Sequence, residues 1–271
     1  MLTLEGKTCI ITGAASGIGE QTAIIFDSLG AKVLALDIDG ERGRRLQKNS
    51  RSGRITFKRI DLTNRAQLRE FDRWAEKNLE RVDALINNAI VPRRNSVLDA
   101  SLEEWDDEIA LSLTASFLLS RLAAKKMIAK KVRGKIILIS AVQAWIPLHS
   151  SFSYSVVKGG MISMAKSLAV DLGAHGISVT AVMPGPIYTS LGSGVEDAPP
   201  SLDRKAATLL GRMGRRAEVA NLLAFLASDL NSFMTGNTIL IDGGRSISRK
   251  PDPDEVANGF LKDPKSDHHS G

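Results

Sequence analysis

Lys7-Thr8-Cys9-Ile10-Ile11-Thr12 runs directly into Gly13-Ala14-Ala15-Ser16-Gly17-Ile18-Gly19, and then into the helical pattern Glu20 to Leu29. The first six residues predict a short, buried, β-rich strand. A strand, a glycine loop and a helix in that order are the context a dinucleotide fingerprint requires. Glycines let the backbone turn tightly and approach a pyrophosphate, and the helix start offers free N–H groups and a positive dipole end. A plain glycine turn between strand and helix would carry the same letters, so the neighbouring sequence has to decide.

Working outward, Lys32 to Asp37 predicts a second strand. Asp37 lies eighteen residues beyond Gly19, where a carboxylate can accept hydrogen bonds from ribose hydroxyls. A carboxylate there repels a 2′-phosphate, and Ser16 rather than a basic residue stands in the loop, which favours NAD over NADP. The competing reading is a surface aspartate that starts a turn with Asp39-Gly40. A third strand, Ile55 to Ile60, ends at Asp61-Leu62. Asp61 suits either an adenine amino group or the start of the next helix. A fourth, Val82 to Ile86, ends at Asn87-Asn88-Ala89, whose amides suit sheet stabilisation or cofactor binding.

Ser101 and Glu104 form a capping box that predicts one long helix to about Lys130. Strands follow at Lys135 to Ser140, Ile177 to Val182 and Thr238 to Ile241, with helices near 153–173 and 217–227. Seven strands alternating with helices predict a single α/β domain with a doubly wound parallel sheet. Residues 190–202 are rich in Gly, Ser, Pro and acids, and the polar stretch from about 248 to 271 predicts a tail.

Composition narrows the function classes. Of 271 residues, 43% are hydrophobic and 24% charged, so a large core is available. The single cysteine, Cys9, lies in an apolar run and predicts a small core residue. The net charge of +6 comes with only 5% aromatics, so no stacking surface for nucleic acid is expected. No membrane span and no leader are visible, and a cytoplasmic protein is expected. His268-His269 in a polar tail predict no metal site.

Tyr154 and Lys158 are four residues apart, so on a helix they share one face. An ammonium near a phenol lowers its pKa and makes a proton donor and acceptor usable near neutral pH. Taken alone, the spacing is more often two exposed side chains.

Together these motifs resemble the short-chain dehydrogenase/reductase family over roughly residues 5–247. The resemblance rests on Thr12-Gly13-x-x-x-Gly17-x-Gly19, Asp61-Leu62, Asn87-Asn88-Ala89, Tyr154-x-x-x-Lys158, Pro184-Gly185-Pro186-Ile187-x-Thr189 and Asp242-Gly243-Gly244. It implies a Rossmann fold with catalytic Tyr154 and Lys158. It implies NAD contacts from Gly13, Ser16, Gly17, Ile18, Gly19, Asp37, Asp61, Leu62, Asn88, Ala89, Tyr154, Lys158, Pro184, Gly185, Ile187 and Thr189. It further implies a substrate lid near 190–212, a small-molecule alcohol or carbonyl substrate, and a homodimer or homotetramer. The expected reaction interconverts a secondary alcohol (a sugar, polyol or cyclic alcohol) and its ketone.

Three positions depart from the family pattern. The catalytic serine expected thirteen residues before Tyr154 is Ala141, an asparagine of the long helix is Ser112, and a glycine is Ile90. Losing a polarising hydroxyl removes about 0.5–1.5 kcal/mol from the site and predicts a slower enzyme. The alternative these changes motivate is an NAD-binding subunit with a degenerate catalytic site.

Overall fold

Parallel strands buried on both faces read as continuous apolar runs, and those runs become the sheet. The computed structural model describes residues 1–91, 93–189, 208–251 and 256. In chain order the strands are β1 (Thr8–Thr12), β2 (Lys32–Asp37), β3 (Ile55–Arg59), β4 (Ala84–Asn87), β5 (Lys135–Ile139), β6 (Ser178–Pro184), β7 (Ile187–Tyr188), β8 (Gly214–Arg215) and β9 (Thr238–Ile241). Seven of them form one parallel sheet in the order β3-β2-β1-β4-β5-β6-β9, while β7 and β8 pair separately. The helices are α1 (Gly17–Ser28), α2 (Gly40–Lys48), α3 (Arg65–Asn78), α4 (Leu102–Glu108), α5 (Ala115–Ala129), α6 (Phe152–Leu172) and α7 (Arg216–Ala227).

Alternate side chains of each strand feed two cores. Ile10, Leu34, Leu85 and Ile136 pack with Phe71 of α3, Leu119 of α5 and Met161 of α6. Cys9, Ile11, Val33 and Ile137 face the other way, against Phe26 of α1 and Leu223 of α7. Each fully buried Ile, Leu, Val, Phe or Met among them contributes about 1.5–3 kcal/mol. Cys9 is fully buried as well, and burial pushes its thiol well above the ordinary range, so it is an inert core group.

β1 pairs with β2 on one side and β4 on the other. The order of the sheet reverses there, which leaves a crevice beyond the carboxyl ends of the strands.

The long helix expected from Ser101 to Lys130 is interrupted. The capping box at Ser101 and Glu104 is present, but a π-helical turn, Ile109–Thr114, separates α4 from α5. A π turn widens the helix by one residue and leaves the apolar periodicity on either side intact, so the pattern does not reveal it. The chain end after 251, with His268 and His269, and the lid stretch 190–207 lie outside the described residues, residue 256 excepted.

Candidate active site

A cleft of about 280 Å³ opens at the reversal point of the sheet. Gly13, Ser16, Gly17 and Ile18 line one wall, Asp37, Ile38, Asp61 and Leu62 another. Asn88, Ala89, Ile90, Val91, Leu111 and Thr189 close the rest. Ten of the predicted cofactor residues therefore meet on one surface: Gly13, Ser16, Gly17, Ile18, Asp37, Asp61, Leu62, Asn88, Ala89 and Thr189. Gly13 has φ +64, and a Cβ there would lie 2.8 Å from Ala89 Cα. At Gly19 a Cβ would collide with the carbonyl of Gly13, so this glycine lets helix and loop touch. The helix start, the bare loop and the carboxylates fit a dinucleotide.

Several polar side chains in this half have partners, although the buried Asn87 Oδ1 has none among the described residues. Asp37 Oδ2 accepts from Ala15 N at 2.9 Å and Oδ1 from Asp39 N at 3.0 Å, which ties β2 to the glycine loop. Asp61 accepts from the backbone N–H and hydroxyl of Thr63, whereas Asn64 caps α3. The helix-start reading of Asp61 therefore moves three residues on. Asn88 donates its side-chain amide to the carbonyls of Thr12 and Gly13, at 3.0 and 3.2 Å. That amide stabilises the junction of β1 and β4. Among the described residues lining the cleft, none is basic and two are aspartates.

The other predicted residues sit elsewhere. Gly185 donates its N–H to Ile241 and packs against Asp242, and Ile187 packs on the core beneath β7. Pro184 ends β6. Tyr154 and Lys158 occupy the first two turns of α6, with Lys158 Nζ 5.5 Å from the centre of the Tyr154 ring. Lys158 is 1% exposed, and its Nζ donates to the Ile139 carbonyl at 2.6 Å. Ser140 donates to the Lys158 carbonyl at 2.7 Å. The end of β5 thus fastens both ends of this lysine, and Ser140 points away from the role left open by Ala141. The nearby serines are engaged as well: Ser151 donates to Leu148 O and Ser153 to Asn95 Oδ1.

The electrostatics differ from expectation. Burial pushes the Tyr154 phenol up to about 12, and the charge of Glu108 adds to the rise. Burial pulls Lys158 down to about 7, with Glu108 opposing the fall. The phenol is therefore raised rather than lowered, with desolvation as the main cause. Glu108 had no place among the predicted site residues. It closes an acidic run, Glu103 to Glu108, and so does not stand out in the sequence.

Comparison with known proteins agrees with this geometry. A family model described as enoyl-(acyl carrier protein) reductase matches residues 13–246. The 3-oxoacyl-[acyl-carrier-protein] reductase FabG of Thermotoga maritima is 36% identical over 250 residues, 91% of this chain and 100% of that protein. Short-chain dehydrogenase reductase 3a of Arabidopsis thaliana is 30% identical over 250 residues, 91% of this chain and 97% of the relative. Among solved structures, 4-hydroxyisoleucine dehydrogenase complexed with NADH superposes with a TM-score of 0.82 at 28% identity, over 90% of this chain and 100% of that one. The glycine loop, the cleft at the sheet's reversal point, the Tyr154–Lys158 pair and these relatives converge: the chain belongs to the short-chain dehydrogenase/reductase family and is a nicotinamide-dependent oxidoreductase.

Proposed function

We propose that this protein is an NAD-dependent oxidoreductase that interconverts a secondary alcohol and its ketone, with Tyr154 handling the proton at the substrate oxygen. Two observations carry the reading: a cleft whose wall includes Asp37 and Asp61, and Tyr154 beside the buried Lys158 on α6. Two carboxylates and no basic side chain at the described cleft wall support NAD, since a 2′-phosphate would meet like charge. When bound, the nicotinamide supplies the hydride acceptor or donor. The loop Gly13 to Gly19 and the start of α1 bind the pyrophosphate, and Asp37 binds the ribose. Ile90, Val91 and Leu111 keep water from the inner wall. Tyr154 moves a proton at its hydroxyl, and Lys158 holds a charge beneath it.

Residues 1–247 form the catalytic domain on this reading, with a lid near 190–212 and a polar tail from 248. Substrates of this class include sugars, polyols and cyclic alcohols. The 3-oxoacyl thioester named for the Thermotoga relative is also a ketone and belongs in the same trial. The exposed Phe117 and Ile128 of α5, with Phe152 and Val156 of α6, support a homodimer or homotetramer. No helix among the described residues is long and apolar enough to cross a membrane, and we assign the protein to the cytoplasm.

The test is initial-rate assay of the purified protein with NAD and NADP against a panel of secondary alcohols and 3-hydroxyacyl thioesters. Turnover with NAD at a kcat/KM at least tenfold above NADP is expected. Tight NAD binding with no turnover across the panel would instead favour the binding-subunit alternative.

A further inference from the structure

The helix that carries Ser112 holds a second anomaly. Glu108 ends α4 and is 1% exposed, yet neither carboxylate oxygen has a hydrogen-bond partner among the described residues. One turn on, within the π-helical turn, the Ser112 hydroxyl is fully buried and also lacks a partner. This segment packs against α6, the helix of Tyr154 and Lys158. The approach is close: a Cβ at Gly160 would sit 3.0 Å from the Leu113 side chain.

Three unmet polar atoms within one helical turn are strongly disfavoured in a dry interior. A buried water and a nearby cation are what such a cluster takes. Lys158 offers three donors; one reaches the Ile139 carbonyl and another, at 3.8 Å, the soft acceptor Met161 Sδ. The charged group acting on Lys158 is Glu108 from α4; Tyr154 of its own helix lies with its ring centre 5.5 Å from Nζ, and β5 presents the Ile139 carbonyl.

We propose that Glu108 is a positioning residue for the Tyr154–Lys158 pair: with Ser112 it holds water against the Lys158 ammonium and keeps that ammonium charged and in place. The proposal rests on the oxidoreductase reading for its purpose. Where the family has an asparagine, this chain has a serine, and Glu108 supplies the stronger acceptor from one turn earlier. The carboxylate favours the protonated form of both Lys158 and Tyr154, so it sets the pH range of the pair as a unit.

The experiment is nuclear magnetic resonance titration of the full chain carrying carbon-13 at lysine Cε. The Lys158 signal is identified by its loss in Lys158→Met. Glu108→Gln is expected to lower the Lys158 midpoint by about one pH unit, and Glu108→Asp to restore most of it. Ser112→Ala should shift it the same way by less. In alcohol oxidation, both limbs of the kcat/KM profile of Glu108→Gln move to lower pH. A midpoint unmoved in Glu108→Gln overturns the proposal, whatever the activity does. Should that variant not fold, an unmoved midpoint in Ser112→Ala overturns it equally. The titration needs no turnover. A shifted midpoint in a protein that oxidises no alcohol upholds the role of Glu108 and sinks the functional reading instead.

Discussion

The two halves of the site are built to different standards. In the cofactor half, Asp37, Asp61, Asn88 and Thr12 each meet a partner at ordinary hydrogen-bond distance. In the proton-handling half, the Glu108 carboxylate and Ser112 hydroxyl are buried without hydrogen-bond partners among the described residues, the helix slips into a π turn, and the expected serine is Ala141. Satisfied polar groups rigidify a site, whereas unmet ones mark places where water, ligand or altered chemistry has to enter. The contrast sets a largely satisfied cleft wall against a proton-handling half that departs from the family pattern at Ala141 and Ser112.

The largest expected effect breaks the proton half alone. Tyr154→Phe should lower kcat by about 10²–10⁴-fold, the range of a lost general acid or base. NAD affinity, measured by calorimetry on the same sample, should stay within a few-fold. A comparable loss of both would mean that the halves are not separable.

Next comes the cofactor half. Asp37→Ala removes the acceptor for Ala15 N and Asp39 N and takes one carboxylate from the cleft wall. NAD affinity should fall by about ten- to a hundredfold, with the preference for NAD over NADP narrowed in the same direction, since each lost hydrogen bond to a charged group is worth about 1.5–3 kcal/mol. Kd values for both cofactors decide it.

A smaller change should sharpen the comparison by repairing the altered half. Ala141→Ser restores a hydroxyl worth about 0.5–1.5 kcal/mol, so kcat/KM should rise between about two- and tenfold. A fall would mean that Ala141 makes room for a particular substrate.

A separate effect is on stability. Lys158 is depressed from 10.5 to about 7, so the unfolded chain binds more protons between those values. The stability tied to this group is fully present above the unfolded value and is lost as pH falls towards about 7. Thermal unfolding from pH 7 to 9 should show wild type gaining on Lys158→Met as pH rises. A constant gap between the two would contradict the depressed value.

Much of this was legible beforehand, for physical reasons. Doubly buried parallel strands are continuous apolar runs, so Ile10-Ile11 and Ile136-Ile137 declared the sheet without ambiguity. The two-residue strands β7 and β8 are too short to carry a pattern. Ala141 and Ser112 were visible as departures, but the direction of Ser140 was not, because one step along a strand reverses a side chain. Glu108 was hidden for a different reason. It closes the run Glu103-Glu104-Trp105-Asp106-Asp107-Glu108, which reads as a solvated helix face, and only tertiary packing turns its last member inward.

The central claim, that Tyr154 works here without a serine beside it, is tested most directly by a crystal structure of the ternary complex with NAD and a slowly turned-over alcohol. The account predicts that the Tyr154 hydroxyl alone among side-chain hydroxyls lies within about 3 Å of the substrate oxygen. A second hydroxyl at that distance, from Ser140, Ser150, Ser151 or Ser153, would contradict it.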